Sequence, residues 1–218
     1  MNGILIRAVR HAVAAVAGAA TVLSPTPASA EGTTPPTDEV TLIVYAVNGS
    51  GCSAGTITVE EAPDNTSFQV TYRNFVARVG PDARPTDIRK NWQVNLLIRV
   101  PQGYTYAIAK VEYKGSAELA SGVSGLVRAN FYAAGDPPMP YVTRSFNGPY
   151  NSLWQATDIR DEAHLIWAPC GQARTVNLNT ELRLRAGVSH PPAASFMAMH
   201  TADGSARTVY HYAWKRCG

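Results

Sequence analysis

The densest polar run in the back half of the chain is Asp158-Ile-Arg-Asp-Glu-Ala-His164. Two carboxylates at a suitable separation act as acid and base on a glycosidic bond, and a His beside a carboxylate serves as a general base. On that chemistry Asp158, Asp161 or Glu162 working with His164 would make a secreted glycoside-type hydrolase. The competing reading is a solvated loop with local ion pairs, because Arg160 sits among the acids.

A second run, Asp82-Ala-Arg84-Pro-Thr-Asp87-Ile-Arg89-Lys90, mixes both signs of charge. Asp82, Arg84, Asp87 and Arg89 are its binding candidates, since Arg forms bidentate contacts to carboxylates and the set suits an anionic or polyhydroxyl ligand. The plainer account is a loop that stitches itself together with Asp-Arg pairs. Aromatic residues recur around these runs, among them Tyr104, Tyr132, Tyr141, Trp154, Trp167 and Trp214. Exposed on one sheet face they would stack on sugar rings; equally, aromatics dominate β-sandwich interiors.

Other chemistries find no support. His164, His190, His200 and His211 form no close ligand pair, so no metal site is expected. The chain has no phosphate-cradling Gly loop and no dinucleotide fingerprint, so no cofactor is expected. Cys52, Cys170 and Cys217 are an odd number, which leaves at least one cysteine without an intrachain partner. An unpaired cysteine next to a base can act as a nucleophile.

These residues must be positioned by an exported chain. Residues 1–30 have the parts of a secretory signal peptide: Arg7 and Arg10, an apolar Ala12 to Leu23, and a small-x-small Ala28-Ser29-Ala30. The apolar run is short of the roughly 20 residues that a bilayer needs, so no membrane span is expected. Residues 31–39 read as a flexible polar tether and 40–217 as a single domain. Removing the signal leaves seventeen basic against sixteen acidic residues, a balance that predicts no nucleic-acid partner.

With 15 Pro, 17 Gly and 16% charged residues, the chain has the composition of a loop-rich β protein. In Trp92 to Val100 the residues Trp92, Val94, Leu96, Ile98 and Val100 share one face, while Gln93, Asn95 and Arg99 share the other, with Leu97 the exception. After Pro101-Gln102-Gly103, Tyr104 to Tyr113 is rich in β-branched and aromatic residues, and the pair reads as a central β-hairpin. Thr175 to Arg185 alternates too, with Val176, Leu178, Leu182 and Leu184 opposite Asn177, Asn179, Glu181, Arg183 and Arg185. Shorter runs such as Thr56 to Glu60 with Ser67 to Tyr72, Ser116 to Ala120, Leu126 to Tyr132 and Leu165 to Trp167 fill the rest. About a dozen strands without helical periods predict an all-β, single-domain antiparallel β-sandwich, with a closed barrel as the alternative. Asn48-Gly-Ser50 and Asn65-Thr-Ser67 are glycosylation sequons in expected turns.

Several segments in order, Tyr45 to Cys52, Gly80-Pro81 leading to Arg89-Lys90-Asn91, Val100-Pro-Gln-Gly-Tyr104, Phe146 to Tyr150, Trp167-Ala-Pro-Cys170-Gly171 and Trp214 to Cys217, carry a resemblance. The chain from about Val40 to Cys217 resembles a family of secreted microbial proteins known as a domain of unknown function, number four-three-six-zero. The family pattern has a cysteine where this chain has Trp92. The resemblance therefore implies a Cys170–Cys217 disulfide, Cys52 as a free thiol, and Trp92 packed where a second bridge would lie. It supplies no activity. The signal peptide, the near-neutral charge and the aromatic-rich strands then favour a secreted, extracellular, non-enzymatic binder of a cell-wall or extracellular polysaccharide or protein, with the hydrolase as the alternative. The sequence carries no signal for an oligomeric state.

Overall fold

Alternation in the sequence is realised as twelve strands in the computed structural model, which describes residues 34–51, 55–188, 193–199 and 207–218. The segment 1–30, Cys52, His190 and His200 lie outside the described residues. In chain order the first six strands are β1 (Thr41–Asn48), β2 (Ile57–Glu61), β3 (Ser67–Tyr72), β4 (Val76–Val79), β5 (Arg89–Arg99) and β6 (Tyr104–Leu119). The others are β7 (Ser124–Ala133), β8 (Val142–Asn147), β9 (Tyr150–Ile159), β10 (Arg174–Arg185), β11 (Ser195–Ala198) and β12 (Arg207–Arg216). Two short 3-10 turns, Pro85–Asp87 and Glu162–His164, are the helical pieces among the described residues.

The strands form two antiparallel sheets. One has the order β1-β5-β10-β7-β8; the other runs β2-β3-β12-β6-β11-β4, with β9 paired to β6. This is the expected antiparallel β-sandwich. Its interior is built by the inward positions of each strand: Trp92, Val94, Leu96 and Ile98 from β5, Val176, Leu178, Leu182 and Leu184 from β10, and Val127, Ala129 and Phe131 from β7. Across from them lie Tyr106, Val111, Tyr113, Tyr210, Tyr212 and Trp214 of the second sheet. Phe68 stacks on Tyr210 with ring centroids 4.6 Å apart, so aromatic pairing stiffens this second layer.

The central hairpin does not form. Leu96 of β5 faces Val44 of β1 on one side and Val176 of β10 on the other, while β6 uses β12, β11 and β9. Both edges of β5 are therefore filled, and Pro101-Gln102-Gly103 carries the chain from one sheet to the other. A short turn between two half-buried runs serves a side-by-side hairpin and a face-to-face crossing equally well in sequence terms. The choice depends on which strands arrive later to take the edges.

Three smaller expectations change. Ser116 to Ala120 is mostly the continuation of β6, a strand of 16 residues with β12 along its first part and β11 along its second. Leu165 to Trp167 is not a strand; this segment lies along β6, where Ala168 N–H donates to Tyr106 O at 2.9 Å. The expected tether is fixed at its distal end. Asn65 Nδ2 donates to Pro36 O at 2.8 Å and to Asp38 O at 2.9 Å, and Pro36 is buried.

Cys170 and Cys217 form the disulfide that the family pattern implied, with Cα atoms 5.9 Å apart. Trp92 is buried between Tyr72 and Phe75, with ring centroids at 5.0 and 6.5 Å. The turn before Cys52 presses on the same place: a Cβ on Gly49 would lie 2.7 Å from the Trp92 Cα, and one on Gly51 would lie 2.3 Å from the Phe75 ring. Gly49 also has φ +130°, so both space and backbone exclude a side chain there.

Candidate functional site

The outward face of the five-stranded sheet is a grid of amide side chains. Strand register places Asn48, Gln93, Asn179 and Asn130 side by side across β1, β5, β10 and β7. The next row is Ala46, Asn95, Asn177 and Tyr132, and the row on the other side is Asn91, Glu181, Arg128 and Thr143. Rows of this kind repeat every second residue, about 7 Å along the strands, with neighbours about 5 Å apart across them.

Asparagine is a poor strand former, because its amide competes for backbone hydrogen bonds and packs badly on a pleated surface. Five of them, Asn91, Asn95, Asn130, Asn177 and Asn179, nevertheless stand inside three adjacent strands. Several are tied to one another. Asn95 Nδ2 donates to Asn177 Oδ1 at 3.1 Å, and Asn179 Nδ2 donates to Asn130 Oδ1 at 3.0 Å. Asn130 passes its own Nδ2 on to Met139 O at 2.8 Å, while Asn91 Oδ1 accepts from Ser50 Oγ at 3.0 Å. Asn130 is buried, with its amide both donating and accepting, but Asn95, Asn177 and Asn179 are half-buried, and a primary amide has two donor and two acceptor positions, so one bond each leaves them further capacity. A face that breaks strand propensity so consistently is where function is expected to override local preference.

At one end the grid meets an arginine cluster. Glu181 on β10 is 4% exposed although it points away from the core. Its Oε2 accepts from Arg89 Nε at 2.9 Å and from a terminal guanidinium nitrogen of Arg89 at 2.5 Å. Arg128 approaches the same oxygen at 3.4 Å, and Arg183 lies 2.8 Å from Oε1. Burial pushes the Glu181 carboxyl up, but the Arg89 hydrogen bonds and the charges of Arg128, Arg183 and Arg89 outweigh it and hold the group below the usual carboxylate range. Arg128 also lies over the half-exposed Tyr141 ring, 4.6 Å from its centroid. Between these groups is a shallow depression of about 130 Å³ lined by Arg89, Asn91, Gln93, Arg128, Tyr141 and Glu181.

The charged residues singled out by sequence fall elsewhere, with Arg89 the exception, while Tyr132 and Tyr141 of the expected aromatics border this face. Asp158 is an inward residue of β9, buried and paired with Arg160 at 2.5 Å. Asp161 and His164 pair with each other at 2.5 Å on the surface, with side chains 71% and 72% exposed. The His164 hydrogen bond draws the Asp161 carboxyl below its ordinary range. Glu162 is exposed as well. One carboxylate thus faces the interior and the others face solvent, an arrangement that does not put two of them across one cleft.

The loop Asp82 to Lys90 is held mainly by its own charges. Arg84 Nε lies 3.2 Å from Asp87, whose other oxygen takes Lys90 Nζ at 2.9 Å, and these contacts, the Arg84 hydrogen bond foremost, pull the Asp87 carboxyl down. Asp82 stands apart, lining a separate hollow of about 270 Å³ with Arg78, Glu118 and Phe196. Of the aromatics, Tyr106, Tyr113, Trp154, Tyr210, Tyr212 and Trp214 are core. An apolar cleft between Tyr106, Phe131, Met139, Ile166 and Trp167 offers only about 30 Å³, too little for a sugar ring.

Sequence reasoning did not pick out the amide grid. Its trace was visible as the polar faces Gln93-x-Asn95 and Asn177-x-Asn179-x-Glu181, but strand order was needed to lay them side by side.

The chain belongs to the family described as Domain of unknown function (DUF4360), whose model matches residues 38–217. It is 27% identical over 191 residues to an uncharacterized secreted protein of Arthroderma benhamiae, an alignment covering 88% of this chain and 77% of that protein. Among solved structures it is similar to TmCBM61 in complex with beta-1,4-galactotriose, with a TM-score of 0.30, 10% identity, and coverage of 79% of this chain and 88% of that one. It is also similar to the enzymatically active domain of bacteriophage CBA120 tailspike protein 4, with a TM-score of 0.25, 10% identity, and coverage of 85% and 20%.

Proposed function

We propose that this secreted β-sandwich is a non-enzymatic polysaccharide-binding protein, and that the glycan lies across the outward face of the five-stranded sheet. The observation that carries this reading is the pair of accessible amide rows, Asn48-Gln93-Asn179 and Asn95-Asn177, the second ending on Tyr132. A sugar hydroxyl both donates and accepts, and a primary amide matches it in both roles without adding charge. Rows fixed on a hydrogen-bonded sheet are preorganised, so ordering them costs little when an extended chain binds. The half-exposed Tyr141 and the partly buried Tyr132 stand at the margin of the grid, where a ring can stack.

The test is co-sedimentation of the exported protein with insoluble polysaccharides and cell walls, scoring depletion and released sugar. Depletion without release, lost in an Asn95→Ala/Asn177→Ala double variant, is the expected result. Binding unchanged in that variant would move the ligand off this face. Release of sugar would instead support hydrolysis.

A further inference from the structure

We infer that the glycan is acidic: its sugar carboxylates dock on the arginine cluster around Glu181 while its hydroxyls engage the amide rows. This rests on the polysaccharide-binding reading above and narrows it to a substrate class.

Charge placement carries the step. Residues 31–218 hold nearly equal numbers of basic and acidic side chains. At one end of the outward face, however, Arg89, Arg128 and Arg183 gather around the Glu181 carboxylate, and Arg185 stands next along β10. Register puts Arg89 beside Arg183 and Glu181 beside Arg128, and Arg185 follows Arg183 on the same side of β10. With the neighbouring Asp87 already paired to Arg84 and Lys90, four guanidinium groups against Glu181 leave this end positive on an otherwise balanced protein.

Glu181 cannot be what the arginines are for. It is buried, and three of them already surround it, so it neutralises one charge and fixes the orientation of the others. The side chains of Arg89, Arg128 and Arg183 remain 51%, 37% and 41% exposed. Arg128 Nε has no hydrogen-bond partner among the described residues, although it is buried. A guanidinium that spends one edge on Glu181 keeps its other in-plane N–H groups for a second carboxylate. The depression between these groups and Tyr141 continues into Gln93 and Asn179, so one repeating unit with both a carboxylate and hydroxyls meets both sets of groups.

The experiment is affinity electrophoresis of the exported protein through polygalacturonate, through the same polymer fully methyl-esterified, and through dextran sulfate. Polygalacturonate should bind at least about tenfold more tightly than its ester, in line with a charge-assisted bidentate contact. Arg89→Gln/Arg128→Gln, which takes away the two guanidinium groups that line the depression, should remove most of that difference while retaining binding to the ester. Arg185→Gln alone, which leaves every contact to Glu181 in place, should remove part of it, so a folding defect in the double variant does not decide the outcome.

Equal binding of acid and ester would overturn the inference while leaving the polysaccharide reading intact. Retention by dextran sulfate as strong as by polygalacturonate would overturn it also, as the mark of a general polyanion surface. No retention by any polymer, with or without the Asn95 and Asn177 substitutions, would take the polysaccharide reading down as well.

Discussion

Asn95 on β5 donates its side-chain amide to Asn177 on β10, 82 positions later, at 3.1 Å. The bond joins two adjacent inner strands on the side away from the core. Replacing both residues with Thr keeps the strands, removes both partners together and installs a better strand former. We expect a gain of up to about 0.5 kcal/mol per site in chemical denaturation, with loss of polysaccharide retention. A protein destabilised by the double change would show that the amides are there for the fold.

Glu61 gives a pH signature. Burial pushes its carboxyl up to about 7, opposed by the Tyr212 hydroxyl that donates to Oε2 at 3.1 Å and reinforced by the charge of Asp64. The folded state therefore holds a proton here more tightly than the unfolded chain. Stability from this group is full below about pH 4.5 and declines as pH rises to about 7, because ionisation is then favoured on unfolding. The melting temperature should fall between pH 5 and 8 by more in the native protein than in Glu61→Gln. Parallel profiles would place the carboxyl in solvent.

Trp92→Ala removes the ring that fills the space between Tyr72 and Phe75, and should cost about 3–5 kcal/mol of unfolding free energy. A loss below about 1 kcal/mol would contradict the packing seen at this position.

The three cysteines make a simpler check. Alkylation without reduction, followed by intact mass, should block one thiol in the exported protein, because Cys170 and Cys217 are joined. Three blocked thiols would mean that the bridge is absent in solution.

Asn65 sits in a sequon, yet its Nδ2 is buried and donates to Pro36 and Asp38. Glycopeptide mapping after expression in a glycosylating host should find Asn65 unmodified in folded protein. Glycan at Asn65 would show that the segment before β1 is not anchored there.

The fold class was legible because the two periods that matter are local. Val176, Leu178, Leu182 and Leu184 alternate with polar residues on a single strand, and that pattern alone calls for one buried face. The partners of each strand were not legible. Trp92 to Ile98 and Tyr104 to Tyr113 look like a hairpin, since nothing within them reports that β1 and β10 will claim both edges of β5. The candidate face was obscured for the same reason. Asp158, Asp161, Glu162 and His164 cluster in sequence, but the end of β9 parts a buried Asp158 from an exposed Asp161–His164 pair, whereas Gln93, Asn130 and Asn179 are scattered in sequence and adjacent in register. The Arg89 to Glu181 contact spans 92 positions and leaves no mark on either local pattern.

The order of strands in the five-stranded sheet sets the tempo of assembly. Strand β5 is made early in the chain, but its neighbour β10 begins only at Arg174, and β7 also depends on β10. Pairings this distant must close long loops before any of them is rewarded, which places folding on a timescale of about milliseconds to seconds. Until then β5 and β7 are two open edges carrying apolar Trp92 to Ile98 and Val127 to Phe131. A chain cut before Arg174 would keep both edges permanently, and the strands most available to cover them would come from another copy of the same fragment.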